Sequence, residues 1–150
     1  MVQLFAIMLG LTFGSFLNVV IYRLPRNLFF SKSRSFCPHC KYQIPFHSNI
    51  PVISYLIQGG KCTNCAASIS RHYPIVELLS ALIWGWASFN YGLHQGILFI
   101  WICSILLAIS IIDHETFIIP FPLIISALLG FLVYIYFNPT EWRVSFWGAI

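Results

Sequence analysis

Four cysteines fall in the pattern Cys37-x2-Cys40-x21-Cys62-x2-Cys65. Two thiols separated by two residues can close on one side of a metal ion. Two such pairs complete a tetrahedral shell of four sulfurs, the ligand set that suits zinc. The interval between the pairs is one residue beyond the usual range of about fifteen to twenty, a small loop extension. A reducing compartment disfavours two structural disulfides, so metal ligation leads and redox-active thiol pairs are the weaker alternative. His39 and His47 lie close in sequence, but four thiolates already fill the shell, so both are expected at the surface. Cys103 stands alone in an apolar run and reads as a small hydrophobe.

A second chemistry could centre on Asp113, the sole aspartate, which ends a long uncharged run. An ionisable group at a membrane boundary is a functional suspect by default, although a carboxylate at a helix end also needs no chemistry to explain it. Carboxylate-based hydrolysis takes two such groups sharing one proton, one ionised to activate water and one protonated to donate a hydrogen bond. Glu115 is two residues from Asp113 and projects elsewhere on a helix. Glu77 is expected near a helix start, where the dipole favours negative charge, and is either structural or a substitute partner for Asp113.

The elements that must carry these groups follow from charge. Hydrophobic residues make up 59% of the 150 and charged residues 8%, against about 25% charged in a soluble domain. So few charges cannot cover a water-facing surface, and the bilayer becomes the expected solvent. The net charge is +4, and seven of the eight Lys/Arg lie between Arg23 and Arg71. A basic loop between apolar segments marks a cytoplasmic loop rather than a nucleic-acid surface, and no nucleic-acid partner is expected. Residues 1–22 carry no charge and, at about 1.5 Å per residue, can cross a hydrocarbon core of roughly 30 Å. The run has no basic stretch ahead of it and no small-residue cleavage site, so it reads as an anchor rather than a signal peptide.

Residues 78–112 form a second charge-free run, too long for one span and broken by turn-type residues at 90–96. A third run covers 116–140, with Pro120 and Pro122 in its first turn. The expected fold is an all-α integral membrane protein: a multi-helix transmembrane bundle with a cytosolic zinc-knuckle loop. Its parts are a first transmembrane helix over 1–22, a four-cysteine loop domain over 23–73 and a transmembrane region over 74–150. Helices in that last region are expected over about 74–91, 93–112 and 120–137. A turn at 138–141 precedes a fifth apolar segment starting near 144. The N-terminus is expected outside, with the cysteine loop, Glu77 and Asp113 on the cytosolic face. Arg23 and Arg71 read as orientation anchors or headgroup contacts. The chain shows no internal repeats.

Five ordered blocks resemble one family. They are Gly14-Ser15-Phe16-Leu17-Asn18-Val19-Val20-Ile21-Tyr22-Arg23-Leu24-Pro25; Cys37-Pro38-His39-Cys40 followed by Asn49-Ile50-Pro51-Val52-Ile53-Ser54-Tyr55-Leu56; Gly60-Lys61-Cys62-Thr63-Asn64-Cys65; Ile69-Ser70-Arg71-His72-Tyr73-Pro74-Ile75-Val76-Glu77; and Asp113 with Ile119-Pro120. Together they resemble the type IV prepilin peptidases, membrane aspartic proteases of the Gly-x-Gly-Asp kind.

The resemblance implies an aspartic endopeptidase of the bacterial inner membrane. Such an enzyme cuts the basic leader from type IV prepilins and pseudopilins at the cytosolic face. In many members it also methylates the new N-terminus with S-adenosylmethionine. It further implies that Asp113 is the first catalytic aspartate and that Cys37, Cys40, Cys62 and Cys65 belong to the methyltransferase part. No methyl-donor site is visible in the sequence. The family's second aspartate lies in a Gly-x-Gly-Asp motif absent from these residues. The chain is therefore expected to be an N-terminal part that is inactive alone. The alternatives are a non-catalytic zinc-knuckle scaffold in the membrane, or a decayed relative, and more remotely a membrane thiol oxidoreductase.

Overall fold

A computed structural model describes residues 1–28 and 35–137. The expected turn at 138–141, the apolar segment from 144, and Lys32, Arg34 and Arg143 lie outside the described residues, as does the side chain of His47. Among the described residues every element longer than one turn is helical. They are α1 (Val2–Arg23), a short α2 (Ile53–Ile57) preceded by a 3-10 turn (Phe46–Asn49), α3 (His72–Asn90), α4 (Leu93–Thr116) and α5 (Phe121–Phe137). Among the described residues there is no strand, only two isolated bridges, Phe36 with Gln43 and Lys61 with Ser68.

Two helical segments, Val2–Arg23 and Gln95–Thr116, are long and apolar enough to cross a membrane, and Phe121–Phe137 is a shorter apolar helix. Their outward faces are greasy. Leu4, Phe5, Met8 and Phe16 of α1, Leu82, Trp86 and Phe89 of α3, and Leu128, Phe131 and Tyr136 of α5 are all exposed. An apolar surface of this extent is a liability in water and is what lipid solvates. Inside, Leu17 and Ile21 of α1 meet Val76 of α3 and Ala108 and Ile112 of α4.

The closest packing joins α1 to α3, and glycine makes it possible. A Cβ at Gly10 would lie 2.7 Å from Ala81 Cα, and one at Gly14 would lie 2.7 Å from Glu77 Cα. The Gly10-x3-Gly14 spacing therefore sets two side-chain-free patches directly on the α3 backbone, the way small residues bring helices together in lipid. Because Gly10 meets Ala81 and Gly14 meets Glu77, the two helices are antiparallel. Gly96 near Ala87 with His72 paired to Glu115 makes α3/α4 antiparallel, and Gly130 against Trp101 with Leu123 packed on the Ala108–Ile112 cluster does the same for α4/α5. The C-terminal ends of α1 and α4, the start of α3 and the cysteine loop thus share one end of the molecule. The loop is held together by short turns rather than by a core of its own.

Candidate metal centre and the cavity beneath it

The two cysteine pairs sit on one turn used twice. In the first, the Cys37 amide donates to Tyr42 O, the Lys41 amide to Cys37 O, and the Ile44 amide to Ser35 O. In the second, Cys62 donates to Ala67 O, Ala66 to Cys62 O, and Ile69 to Gly60 O. Each turn has a left-handed residue just after its second cysteine, Lys41 at φ 61° and Ala66 at φ 57°. Residues 35–44 and 60–69 thus repeat the same backbone at an offset of 25. The expectation of no internal repeat is corrected here, because only the two cysteines and the closing isoleucine are common to the two stretches.

The turns face each other and bring all four Sγ atoms within 4.8 Å of one another, with Cys37 and Cys65 3.9 Å apart. A tetrahedral site with metal–sulfur bonds of about 2.3 Å has sulfurs about 3.8 Å apart, so the arrangement fits a metal ion closely. Cys37 is buried and Cys65 is exposed, which places the cluster at the loop's edge. Backbone amides prepare it for negative charge. The Tyr42 amide, helped by the Asn64 side chain, holds the Cys40 thiol down at about 6. The amides of Cys65 and Asn64 lower Cys62. Cys65 receives the Ala67 amide, but burial and the three neighbouring sulfurs outweigh it and push the thiol up to about 11. Four sulfurs this close cannot all ionise without a cation among them, and a divalent metal removes that conflict.

Buried polar contacts fasten the loop to the helices. Asn18 Nδ2 donates to Tyr73 O at 3.0 Å, tying α1 to the first turn of α3. Glu77 Oε2 accepts the Val52 amide at 2.7 Å, and the Ser15 hydroxyl donates to the same carboxylate. Val52 adopts φ 61° and ψ −49°, and the Ile53 amide returns to Pro51 O at 2.6 Å. This is a γ-turn of the strained, positive-φ kind, and it occurs at a β-branched residue. The strain aims one loop amide at Glu77. Arg23 is buried, with its guanidinium 6.0 Å from the Phe36 ring centroid. It packs against the loop, which speaks against the headgroup-contact reading and leaves the orientation-anchor reading untouched. Arg71 is exposed.

Between loop and helices lies a cavity of about 380 Å³, walled by Ser15, Asn18, Tyr22, Tyr73 and Glu77, with Cys37 and Cys62 on the loop side. Glu115 also borders it, and its carboxylate accepts from His72 Nδ1 at 3.1 Å when that nitrogen carries the hydrogen. Asp113 does not line the cavity. It is exposed on the last turn of α4, where its carbonyl accepts the amide of the left-handed cap residue Phe117. Glu77, read as either a structural carboxylate or a substitute partner for Asp113, is bonded to the loop and lies in the second turn of α3. The structure therefore gathers the four cysteines and gives Glu77 a partner in the loop, while Asp113 stands on another surface at the same end. Asn18, Ser15 and Val52 were not singled out by their chemistry. Their bonds span 25 to 62 residues of chain, and no local pattern announces them.

Comparison with known proteins gives the family. The family model of the bacterial peptidase A24 N-terminal domain matches residues 8–91, from the start of the glycine contact to the end of α3. A prepilin leader peptidase/N-methyltransferase of Stutzerimonas stutzeri is 37% identical over 97% of this chain and 59% of its own length. One of Pseudomonas aeruginosa is 36% identical over 81% of this chain and 50% of its own. A type 4 prepilin-like proteins leader peptide-processing enzyme of Escherichia coli is 37% identical over 71% and 46%. The chain spans about half the length of the curated relatives it matches. No solved structure matches it. With the knuckle, the glycine contact and the Glu77 junction all inside the matched segment, the chain belongs to the family of the bacterial peptidase A24 N-terminal domain.

Proposed function

We propose that this chain carries the N-terminal part of a prepilin leader peptidase/N-methyltransferase. That enzyme would remove the basic leader of type IV prepilins or pseudopilins at the cytosolic face of the bacterial inner membrane and methylate the new N-terminus with S-adenosylmethionine. The observation that carries this reading is the family match over residues 8–91, joined to relatives whose names combine the two activities. In this reading α1, α3, α4 and α5 all span the bilayer, with the N-terminus outside and the basic cysteine loop in the cytosol.

Cys37, Cys40, Cys62 and Cys65 would hold zinc, whose contribution is to fix a small loop that lacks enough core to fold alone. Asp113 would supply one of the two carboxylates of an aspartic protease, at the face where a leader is exposed to water. The exposure of Asp113, without a side-chain partner among the described residues, favours one competing reading, a non-catalytic zinc-knuckle scaffold.

The test uses the full-length protein in lipid, a purified prepilin and S-adenosylmethionine, with products read by mass spectrometry. The wild type should yield a shortened pilin carrying one added methyl group, and Asp113→Ala should yield intact prepilin. Cleavage retained by Asp113→Ala would remove that residue from the mechanism.

A further inference from the structure

The loop carries an apolar surface that neither the knuckle nor the cavity uses. In α2, Ile53, Leu56 and Ile57 follow the spacing of a single helix face and are 53%, 69% and 81% exposed. Ser54 lies off that face and is buried, where its hydroxyl accepts the Ile50 amide at 2.9 Å. Three large aliphatic side chains bared by so short a helix call for an apolar cover.

The position of α2 decides what that cover is. The Val52 amide, immediately before it, is fixed on Glu77 at 2.7 Å. Glu77 lies past the start of α3 at His72 by roughly 7 Å, at the rise of a helix. The loop therefore folds back alongside the helices instead of standing clear of them. Amphipathic segments that lie in a membrane surface sink their apolar face about 5–10 Å into the boundary between headgroups and acyl chains, which is the same depth. At this level α3 itself exposes Ile75, Leu78 and Leu79. Charge points the same way. The first acidic residue of the chain is Glu77, whereas seven Lys/Arg precede it. Lys61, shortly after α2, and Arg71, capping α3, are both exposed. Long cationic side chains of this kind lay their stems over apolar surface and hold their heads among anionic lipid headgroups.

We infer that α2 lies in the cytosolic surface of the bilayer, with Ile53, Leu56 and Ile57 among the acyl chains. This rests on the bilayer-spanning reading of α1 and α3 proposed above and extends it to the loop. The knuckle is then seated on lipid as well as on helices, and the Val52–Glu77 bond sets the depth at which it sits.

The experiment places the photoreactive amino acid benzoylphenylalanine at Leu56, at Ile57 and, for reference, at Leu82 of α3, one position at a time. The zinc-loaded full-length protein is reconstituted in vesicles of phosphatidylcholine and phosphatidylglycerol and irradiated, and mass spectrometry identifies what each position has captured. All three side chains are exposed, so the replacements should fold, and retained zinc checks this. Lipid adducts at Leu56 and Ile57 should form in yields within about twofold of that at Leu82. If Leu82 captures lipid while Leu56 and Ile57 capture a downstream part of the chain, or nothing, the proposal is overturned and the bilayer-spanning reading stands. If no position captures lipid, the proposal and that reading fall together.

Discussion

Replacing Gly10 with alanine tests how tightly α1 is seated on α3. The added Cβ would meet Ala81 Cα at 2.7 Å, Trp84 Cβ at 2.8 Å and Ser80 O at 2.9 Å. Two of these atoms are backbone and the third is fixed to it, so no rotamer change relieves them. Carbon–carbon contact is comfortable from about 3.5 Å, so α1 must retreat by about 0.8 Å. Overpacking of this kind costs roughly 1–3 kcal/mol, and alanine's better helix propensity returns about 1 kcal/mol. A net loss of about 1 kcal/mol follows. Gly14→Ala meets Glu77 Cα at 2.7 Å, and the same retreat relieves both clashes. The double variant should therefore lose clearly less than the sum of the singles. Reversible unfolding in mixed micelles, followed by tryptophan fluorescence with Trp84 at the contact, measures all three. A Gly10→Ala protein more stable than wild type by the propensity gain would refute the close approach.

Other perturbations follow from the site. Zinc uptake by the metal-free chain requires thiolates. Cys65, pushed up to about 11, must release a proton throughout the neutral range, whereas Cys40 at about 6 is already ionised there. Zinc affinity should therefore fall as pH drops, and fall more steeply below about pH 6 as Cys40 protonates, read by competition with a chromogenic chelator across pH 5–8. Glu77→Ala strands the Val52 amide and should cost about 1–3 kcal/mol in chemical unfolding, while Glu77→Gln recovers most of it. Glu115→Gln breaks an exposed pair with His72 and should shift stability by less than about 1 kcal/mol; a larger loss would mean that the pair matters to how α3 meets α4.

Helices were legible because uncharged runs of membrane length are hard to read otherwise, and the turn residues at 90–96 separate α3 from α4. The four-sulfur cluster was legible because a metal constrains ligand type and spacing directly in sequence. The duplicated turn beneath it was not, since its repeat lies in backbone conformation, and lysine in one copy and alanine in the other accept the same left-handed φ. The Gly10-x3-Gly14 pair is plain in the sequence, but only the facing backbone shows what the missing side chains admit. Pro74 marks a helix start close to Glu77 in the sequence. The helix begins earlier, at His72, and turns the carboxylate inward toward Val52. Such long-range polar bonds depend on tertiary placement, and no local period encodes them.

The most direct measurement is the metal content of the purified chain, by native mass spectrometry together with elemental analysis. The sulfur geometry leads us to expect about one zinc per chain, absent from Cys37→Ser and Cys62→Ser, with the four loop thiols protected from alkylation until a chelator is added. A folded, metal-free wild-type chain whose four loop thiols alkylate freely would contradict the metal centre on which the assignment of the loop depends.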